Sequence, residues 1–189
     1  SKNQTDNLNN INPSVIEVSG LAIFNKDKLV SWYDGEMARN VHLVLSEIDS
    51  TSFSLPCKRK KMTLISKRSK GTINTLIKPV PTLQVNIAIN TEISEMNCNK
   101  DLTNTKVLTD IEKELEKEIT RQVQRTIQIS QDKGTDVFGF GSTLSRGNHS
   151  YWKKHKKEWN TLYSNAKVEV NVKASINDSG LVTDPYEPK

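Results

Sequence analysis

Apolar and polar residues alternate along two stretches of the chain with the period of two that is typical of half-buried β-strands. From Leu83 to Ile93 the odd positions are apolar or threonine and the even positions are almost all polar. From Val168 to Ala174 the pattern repeats. Pro79 and Pro81 are expected to bend or end a strand just before the first stretch, because proline has no backbone N–H to donate to the hydrogen bonds of a β-sheet. Further strands are predicted over 15–24, 29–33, 53–55, 62–66 and 72–78, and the first two form a hairpin.

Helical periodicity predicts one long helix and two shorter ones. The long helix is predicted to begin at a capping box, Thr109 with Glu112, and to end at Gly134. Its apolar stripe is expected to pack on the sheet, with a groove for a partner helix as the alternative. The shorter helices are predicted over 35–47, with Asp34 as N-cap, and over 151–163. The stripe consists of Ile111, Leu115, Ile119, Val123 and Ile127.

These elements predict an α+β fold. We expect a mainly antiparallel β-sheet, with one long and several shorter helices packed on one face, and no β-α-β alternation. The length of 189 residues suits one domain. The predicted organisation is a flexible N-terminal segment over 1–14, the α+β domain over 15–180, and a flexible C-terminal tail over 181–189.

The basic residues are clustered. The net charge is +5, and the candidate interaction surface is the run Lys58, Arg59, Lys60 and Lys61. A second run of lysines lies within 153–157. Such clusters fit an anionic membrane surface, an acidic partner protein or nucleic acid, and a merely solvated face is the alternative. No apolar run approaches the length of a membrane span, and the polar opening at Ser1 favours a piece of a longer protein.

The sequence gives no catalytic, metal or cofactor-binding pattern. The histidines are scattered, no nucleophile elbow or phosphate loop is present, and no cofactor is expected. Cys57 and Cys98 form no C-x-x-C pair, and whether they form a disulfide is left open. Asp136 is a candidate acid, but an aspartate before a turn more often binds backbone N–H groups.

A run of six residues, from Asp136 to Gly141, holds Phe138, Gly139 and Phe140. The spacing of its glycines does not match a dinucleotide fingerprint. Glycine permits unusual backbone angles and each phenylalanine is a large apolar anchor, so the run predicts a folded corner pinned in the core. The structural motif predicted here is Asp136, Phe138, Gly139, Phe140, Gly141, Arg146, Trp152 and Trp159, with Trp152 and Trp159 on the buried face of one helix and the neighbouring lysines solvated.

Three segments together resemble the C subunit of Ger-type spore germinant receptors, the GerAC-like proteins. The first runs from Gly20 to Val30 and continues to Trp32, with Glu36 and Arg39 on the next helix. The second is the long Glu-rich helix. The third is the structural motif, followed by a last alternating strand that ends near Gly180.

The resemblance implies the C-terminal domain of a lipoprotein anchored at the outer leaflet of the spore inner membrane through a lipid outside this segment. It also implies two partners, the integral-membrane A and B subunits of a nutrient germinant receptor. The domain would then be a soluble, non-enzymatic assembly or signal-coupling module, and no nucleic acid is expected. Ser31, Tyr33 and the basic run from Lys58 to Lys61 depart from the family pattern. A basic nucleic-acid-binding module is the alternative function.

Overall fold

The computed structural model of the chain describes residues 20–25, 27–77, 81–98 and 100–178. The predicted terminal segments 1–14 and 181–189 lie outside these residues, as does the first part of the first predicted strand. The described residues form the strands β1 (Gly20–Asn25), β2 (Lys28–Asp34), β3 (Ser52–Cys57), β4 (Lys60–Ile77), β5 (Pro81–Met96) and β6 (Lys167–Asp178). They also form the helices α1 (Gly35–Leu45), α2 (Thr105–Asp132), α3 (Phe140–Gly147), α4 (His149–His155) and α5 (Trp159–Ser164).

Four strands form one sheet in the order β3-β4-β5-β6, and β1 and β2 form a separate antiparallel hairpin. The pairs β3–β4 and β4–β5 are antiparallel. On β5, Leu83, Val85 and Ile87 are buried whereas Asn86 and Ala88 are exposed, as the alternation predicts. The buried face packs in one core with the apolar stripe of α2. The predicted α+β class with a mainly antiparallel sheet is therefore confirmed.

The pairing of β5 with β6 is parallel, which corrects the expectation that no β-α-β unit is present. A parallel partner requires the chain to cross back over the sheet, and α2 makes most of that crossing. Two carboxylates of α2 also bind the backbone of β6. Glu112 Oε1 accepts from the N–H of Ile176 at 2.9 Å, and Glu116 Oε1 accepts from the N–H of Ala174 at 3.1 Å. These contacts satisfy donors at the open edge of the sheet.

The helix α2 begins about one turn before the predicted capping box. Its N-cap is Asn104, whose side chain accepts from the N–H of Lys106 at 2.9 Å, and Thr109 lies inside the helix. The predicted end is confirmed, because Gly134 follows the helix in the left-handed region with φ 61°. All five residues of the predicted stripe are fully buried. The alternative of a groove for a partner helix is therefore wrong for this stripe.

The helix predicted over 151–163 is in fact two helices, α4 and α5, and α3 before them was not predicted. Trp152 and Trp159 consequently lie on different helices. Their rings nevertheless meet edge to face, with centroids 5.6 Å apart. The lysines of the run 153–157 are exposed, as predicted.

The strand β4 is continuous and joins the two predicted strands 62–66 and 72–78. Gly71 lies where the end of α1 crosses it, and a Cβ there would stand 2.6 Å from the carbonyl oxygen of Leu43. The Ser46 hydroxyl, which follows α1, stabilises this contact between helix and strand, since it accepts from the N–H of Gly71 at 2.7 Å.

Asp34 occupies the predicted N-cap position of α1, but its side chain makes no capping hydrogen bond. Among the described residues, no helix has the length and apolar character that crossing a membrane requires.

Candidate interaction surface

The carboxylate of Asp136 organises the corner between α2 and α3. Its Oδ1 accepts from the N–H groups of Gly139 at 3.0 Å and Phe140 at 3.1 Å. Its Oδ2 accepts from the N–H of Gly141 at 2.7 Å and from the indole Nε1 of Trp159 at 3.1 Å. Four donors therefore converge on one side chain. The carboxylate of Asp136 thus accepts from the otherwise unpaired N–H groups at the start of α3, which is the role of an N-terminal cap.

Two glycines make this corner sterically feasible. Gly139 has φ 77°, a left-handed conformation that costs glycine little. Gly141 lies against the tryptophans, and a Cβ there would stand 2.6 Å from Nε1 of Trp159 and 3.0 Å from Cη2 of Trp152. The close approach of the two indoles therefore depends on the missing side chain.

The aromatic residues of the corner form a continuous row in the interior. Phe138 and Phe140 are 2 % and 0 % exposed, with ring centroids 6.0 Å apart. Tyr163 lies 6.3 Å from Phe140 and 6.2 Å from Trp159. Burial raises the pKa of the Tyr163 hydroxyl, which bonds to Ser130 Oγ at 2.8 Å. This region is consequently part of the core.

Arg146 was predicted to belong to the structural motif, but it does not lie among the buried aromatic residues of the corner. Its guanidinium is exposed and donates to Thr143 Oγ1 at 3.3 Å, within α3. It lines a separate surface groove of about 290 Å³ together with Phe138 and Gly139. A second groove, of about 250 Å³, lies between the corner and the hairpin, and Phe24, Asp136 and Trp152 are among the residues that line it.

The basic run occupies the turn between β3 and β4 and the first two positions of β4, and we call it the basic turn (Lys58, Arg59, Lys60 and Lys61). All four side chains are exposed, and within the described residues none of them forms an ion pair. Lys58 has φ 57°, so the chain reverses sharply there. Within the part of the chain that the structure describes, the positive charges of the turn are therefore not neutralised by ion pairs.

A disulfide fixes the base of the basic turn. Cys57 at the end of β3 is bonded to Cys98 beyond the end of β5, with a Cα–Cα distance of 6.0 Å. The bridge thus answers the question that the sequence left open. The two cysteines, three residues of the turn and Asn97 line a surface cavity of about 400 Å³. A crosslink at the strand ends limits how far the turn moves relative to the sheet.

The second basic run, on and after α4, differs in its surroundings. The ring of Tyr151 stacks on His155 with centroids 4.1 Å apart, and His155 Nδ1 contacts Glu158 Oε1 at 2.6 Å. Trp152 packs on Trp159. The aromatic rings beside these lysines are therefore half-buried and engaged in contacts within the domain, which disfavours their use as an open stacking platform.

Arg39 has a structural role that sequence reasoning did not derive, although it lies in one of the segments that resemble the Ger family. It donates to the carbonyl of Ser52 at 3.0 Å and to Gln122 Oε1 at 2.7 Å, and it lies over the ring of Phe53 at 4.9 Å. It thereby joins α1, β3 and α2. Burial lowers the pKa of its guanidinium, while the charges of Glu36 and Glu118 act in the opposite direction.

With this geometry established, comparison with known proteins identifies the family. The model described as "Spore germination B3/ GerAC like, C-terminal" matches residues 19–180. The chain belongs to this family of spore-germination proteins. The match covers the hairpin, the long helix, the structural motif and the last strand, which are the segments that carried the resemblance. No match was found among curated protein sequences.

The crystal structure of the GerBC protein has a similar fold. The two chains superpose with a TM-score of 0.75 at 20 % sequence identity. The alignment covers 84 % of this chain and 50 % of that one, so this chain spans about half the length of its structural relative. At this identity the likeness establishes the fold of the GerAC-like domain.

Proposed function

We propose that this chain is the C-terminal interaction domain of a germinant-receptor C subunit, and that it acts by contact and not by catalysis. The observation that carries the proposal is the basic turn. It presents four positive charges that form no ion pair with the other described residues, on a strand turn held by a disulfide, within a family of spore-germination proteins. The partners are the A and B integral-membrane subunits, at the outer leaflet of the spore inner membrane.

The basic turn is proposed to contact anionic lipid headgroups. Each lysine or arginine close to an anionic membrane contributes about 1 kcal/mol to the free energy of binding. Four such residues can therefore bind the surface together, and no deep pocket is needed. A lipid anchor upstream of the domain would hold the full-length protein near that surface. The contact would then orient the domain toward the receptor.

A non-enzymatic role is supported by the environment of Asp136. Both of its oxygens are occupied by donors of its own corner, so this carboxylate serves folding. The nucleic-acid alternative is less well supported, because Tyr151 and Trp152 are packed within the domain. The nucleic-acid alternative makes one prediction that is easily measured. The affinity for any polyanionic strand should fall steeply as the salt concentration rises.

Co-sedimentation with vesicles tests the lipid contact. The variant K58A/R59A/K60A/K61A is compared with K153A/K154A/K156A/K157A, which removes the same charge from another exposed run. We expect binding to vesicles that contain phosphatidylglycerol, lost in the first variant, retained in the second, and absent with phosphatidylcholine alone. Equal loss in both variants, or binding that no variant changes, would contradict a specific role of the basic turn.

The receptor assignment is tested in spores that lack the native C subunit. The full-length parent of this chain is expected to restore nutrient-triggered germination, and the same protein with the basic-turn substitutions is expected not to, at equal abundance. Rescue by both proteins would keep the receptor role and remove the role of the turn. Rescue by neither would contradict the receptor role itself.

A further inference from the structure

The β1–β2 hairpin exposes an apolar face. Ala22 pairs with Trp32 and Phe24 pairs with Leu29, so these four side chains share one side of the hairpin. Phe24, Leu29 and Trp32 are 54 %, 52 % and 54 % exposed, the large apolar side chains most open to solvent among the described residues. We call this side the hairpin face.

The opposite side of the hairpin is already used. Ile23 and Tyr33 point into the core and are 9 % and 1 % exposed. Both sides of this two-stranded sheet are thus apolar, and only one of them is covered by the domain. Two-stranded hairpins are marginal on their own, and clustered apolar side chains at a surface mark a contact site.

The charge of the hairpin segment, counted from its sequence, favours a protein surface over an anionic bilayer as the partner of the hairpin face. The sequence from Gly20 to Asp34 has two lysines, Lys26 and Lys28, and two aspartates, Asp27 and Asp34. The hairpin therefore carries no net charge, unlike the basic turn. Without excess positive charge, attraction to anionic headgroups is not expected here.

Gly20, the first described residue, lies against the hairpin face. A Cβ on Gly20 would stand 2.8 Å from Nε1 of Trp32 and 2.6 Å from the carbonyl oxygen of Tyr33. The exposed indole thus lies directly against the backbone of the first described residue. Any part of the protein that precedes Gly20 is joined to the domain beside this face.

The family model is a C-terminal one, and half of the GerBC chain has no counterpart in this chain. We propose that the hairpin face docks the domain that precedes this one in the full-length protein. A tethered partner has a high effective concentration, so a modest apolar contact suffices to hold it. The face continues into the groove between Phe24 and Trp152, which gives the partner a concave surface beside the flat one.

Hydroxyl-radical footprinting tests this docking without any substitution. The 189-residue chain and its full-length parent are oxidised in parallel, and the labelling of Trp32 and Phe24 is read by mass spectrometry. We expect both residues to be several-fold less oxidised in the full-length protein. Met96, which is half-buried at the end of β5 and does not line this groove, serves as the internal reference and should be labelled equally in both.

Thermal melting of Trp32→Ser gives a second readout. The substitution is expected to lower the Tm of the full-length protein and to leave that of the 189-residue chain nearly unchanged, whereas Lys153→Ser should change neither. Equal oxidation of Trp32 in both proteins would overturn the proposal. It would also be overturned by a full-length protein with no preceding domain, or by protection that appears only with added vesicles or rising protein concentration.

Discussion

The indole Nε1 of Trp159 donates to Oδ2 of Asp136 at 3.1 Å, across 23 positions of sequence. This bond joins the start of α5 to the corner that precedes α3. The same carboxylate accepts three backbone N–H groups. One acidic side chain therefore holds two helices together.

Asp136→Ala is expected to destabilise the domain by about 3 kcal/mol, because hydrogen bonds to a charged group contribute more than neutral ones and four donors lose their acceptor. Urea unfolding followed by tryptophan fluorescence measures the change. Asp110→Ala, at an exposed position of α2, is the matched control and should stay near wild type. A variant at position 136 as stable as the control would show that water replaces the carboxylate.

Alanine at two glycines of α3 is expected to act in opposite directions. Gly141→Ala places a methyl group against two indoles and should cost about 1–3 kcal/mol. Gly147→Ala meets no atom within 4 Å, and alanine is the better helix former by up to about 1 kcal/mol. Differential scanning calorimetry of both variants decides the point. Similar melting temperatures would mean that the tryptophans move aside without cost.

The double variant Cys57→Ser/Cys98→Ser removes a crosslink between residues 41 apart in sequence. The chain-entropy relation predicts a loss of about 4 kcal/mol, chiefly because the unfolded chain gains freedom. Urea unfolding with and without reductant measures it. Wild type in reductant should match the double variant in either condition. If reductant also destabilises the double variant, the effect does not come from this disulfide.

Stability is expected to fall as the pH rises above about 10, the ordinary pKa of tyrosine. Burial raises the pKa of Tyr163 in the folded state, so the unfolded chain loses this proton first. The stabilisation is therefore complete below the unfolded pKa and is lost progressively above it. Urea midpoints between pH 8 and 11 should decline less steeply in Tyr163→Phe. Parallel profiles would exclude Tyr163 as the titrating group; burial also raises the pKa of Tyr33.

Most of the helices and strands could be predicted from the hydrophobic periodicity of their own segment alone. The alternation over β5 and the four-residue repeat over α2 each depend on local geometry, since a strand or helix with one buried face has a fixed period. The buried stripe from Ile111 to Ile127 and the end of α2 at Gly134 follow from this. The motif around Asp136 was also visible as an unusual run of residues.

The contacts between distant segments could not be predicted in this way. Glu112 has the spacing of a capping residue, but it binds β6 because the parallel crossover brings that strand beside α2. Trp152 and Trp159 have helical spacing, yet they meet across a break between two helices. The pairing of Cys57 with Cys98 likewise requires the register of three strands.

The sequence by itself determined the fold class, the long amphipathic helix, the clustering of the basic residues and the residues that carry the family resemblance. The tertiary structure alone decided the parallel position of β6, the disulfide, the four-donor site of Asp136 and the open side of the hairpin. The physical reason is that periodicity records whether a side chain is buried, and not which residue lies opposite it. A buried side chain could pack against several different neighbours, so the packing of the whole chain decides which contact forms.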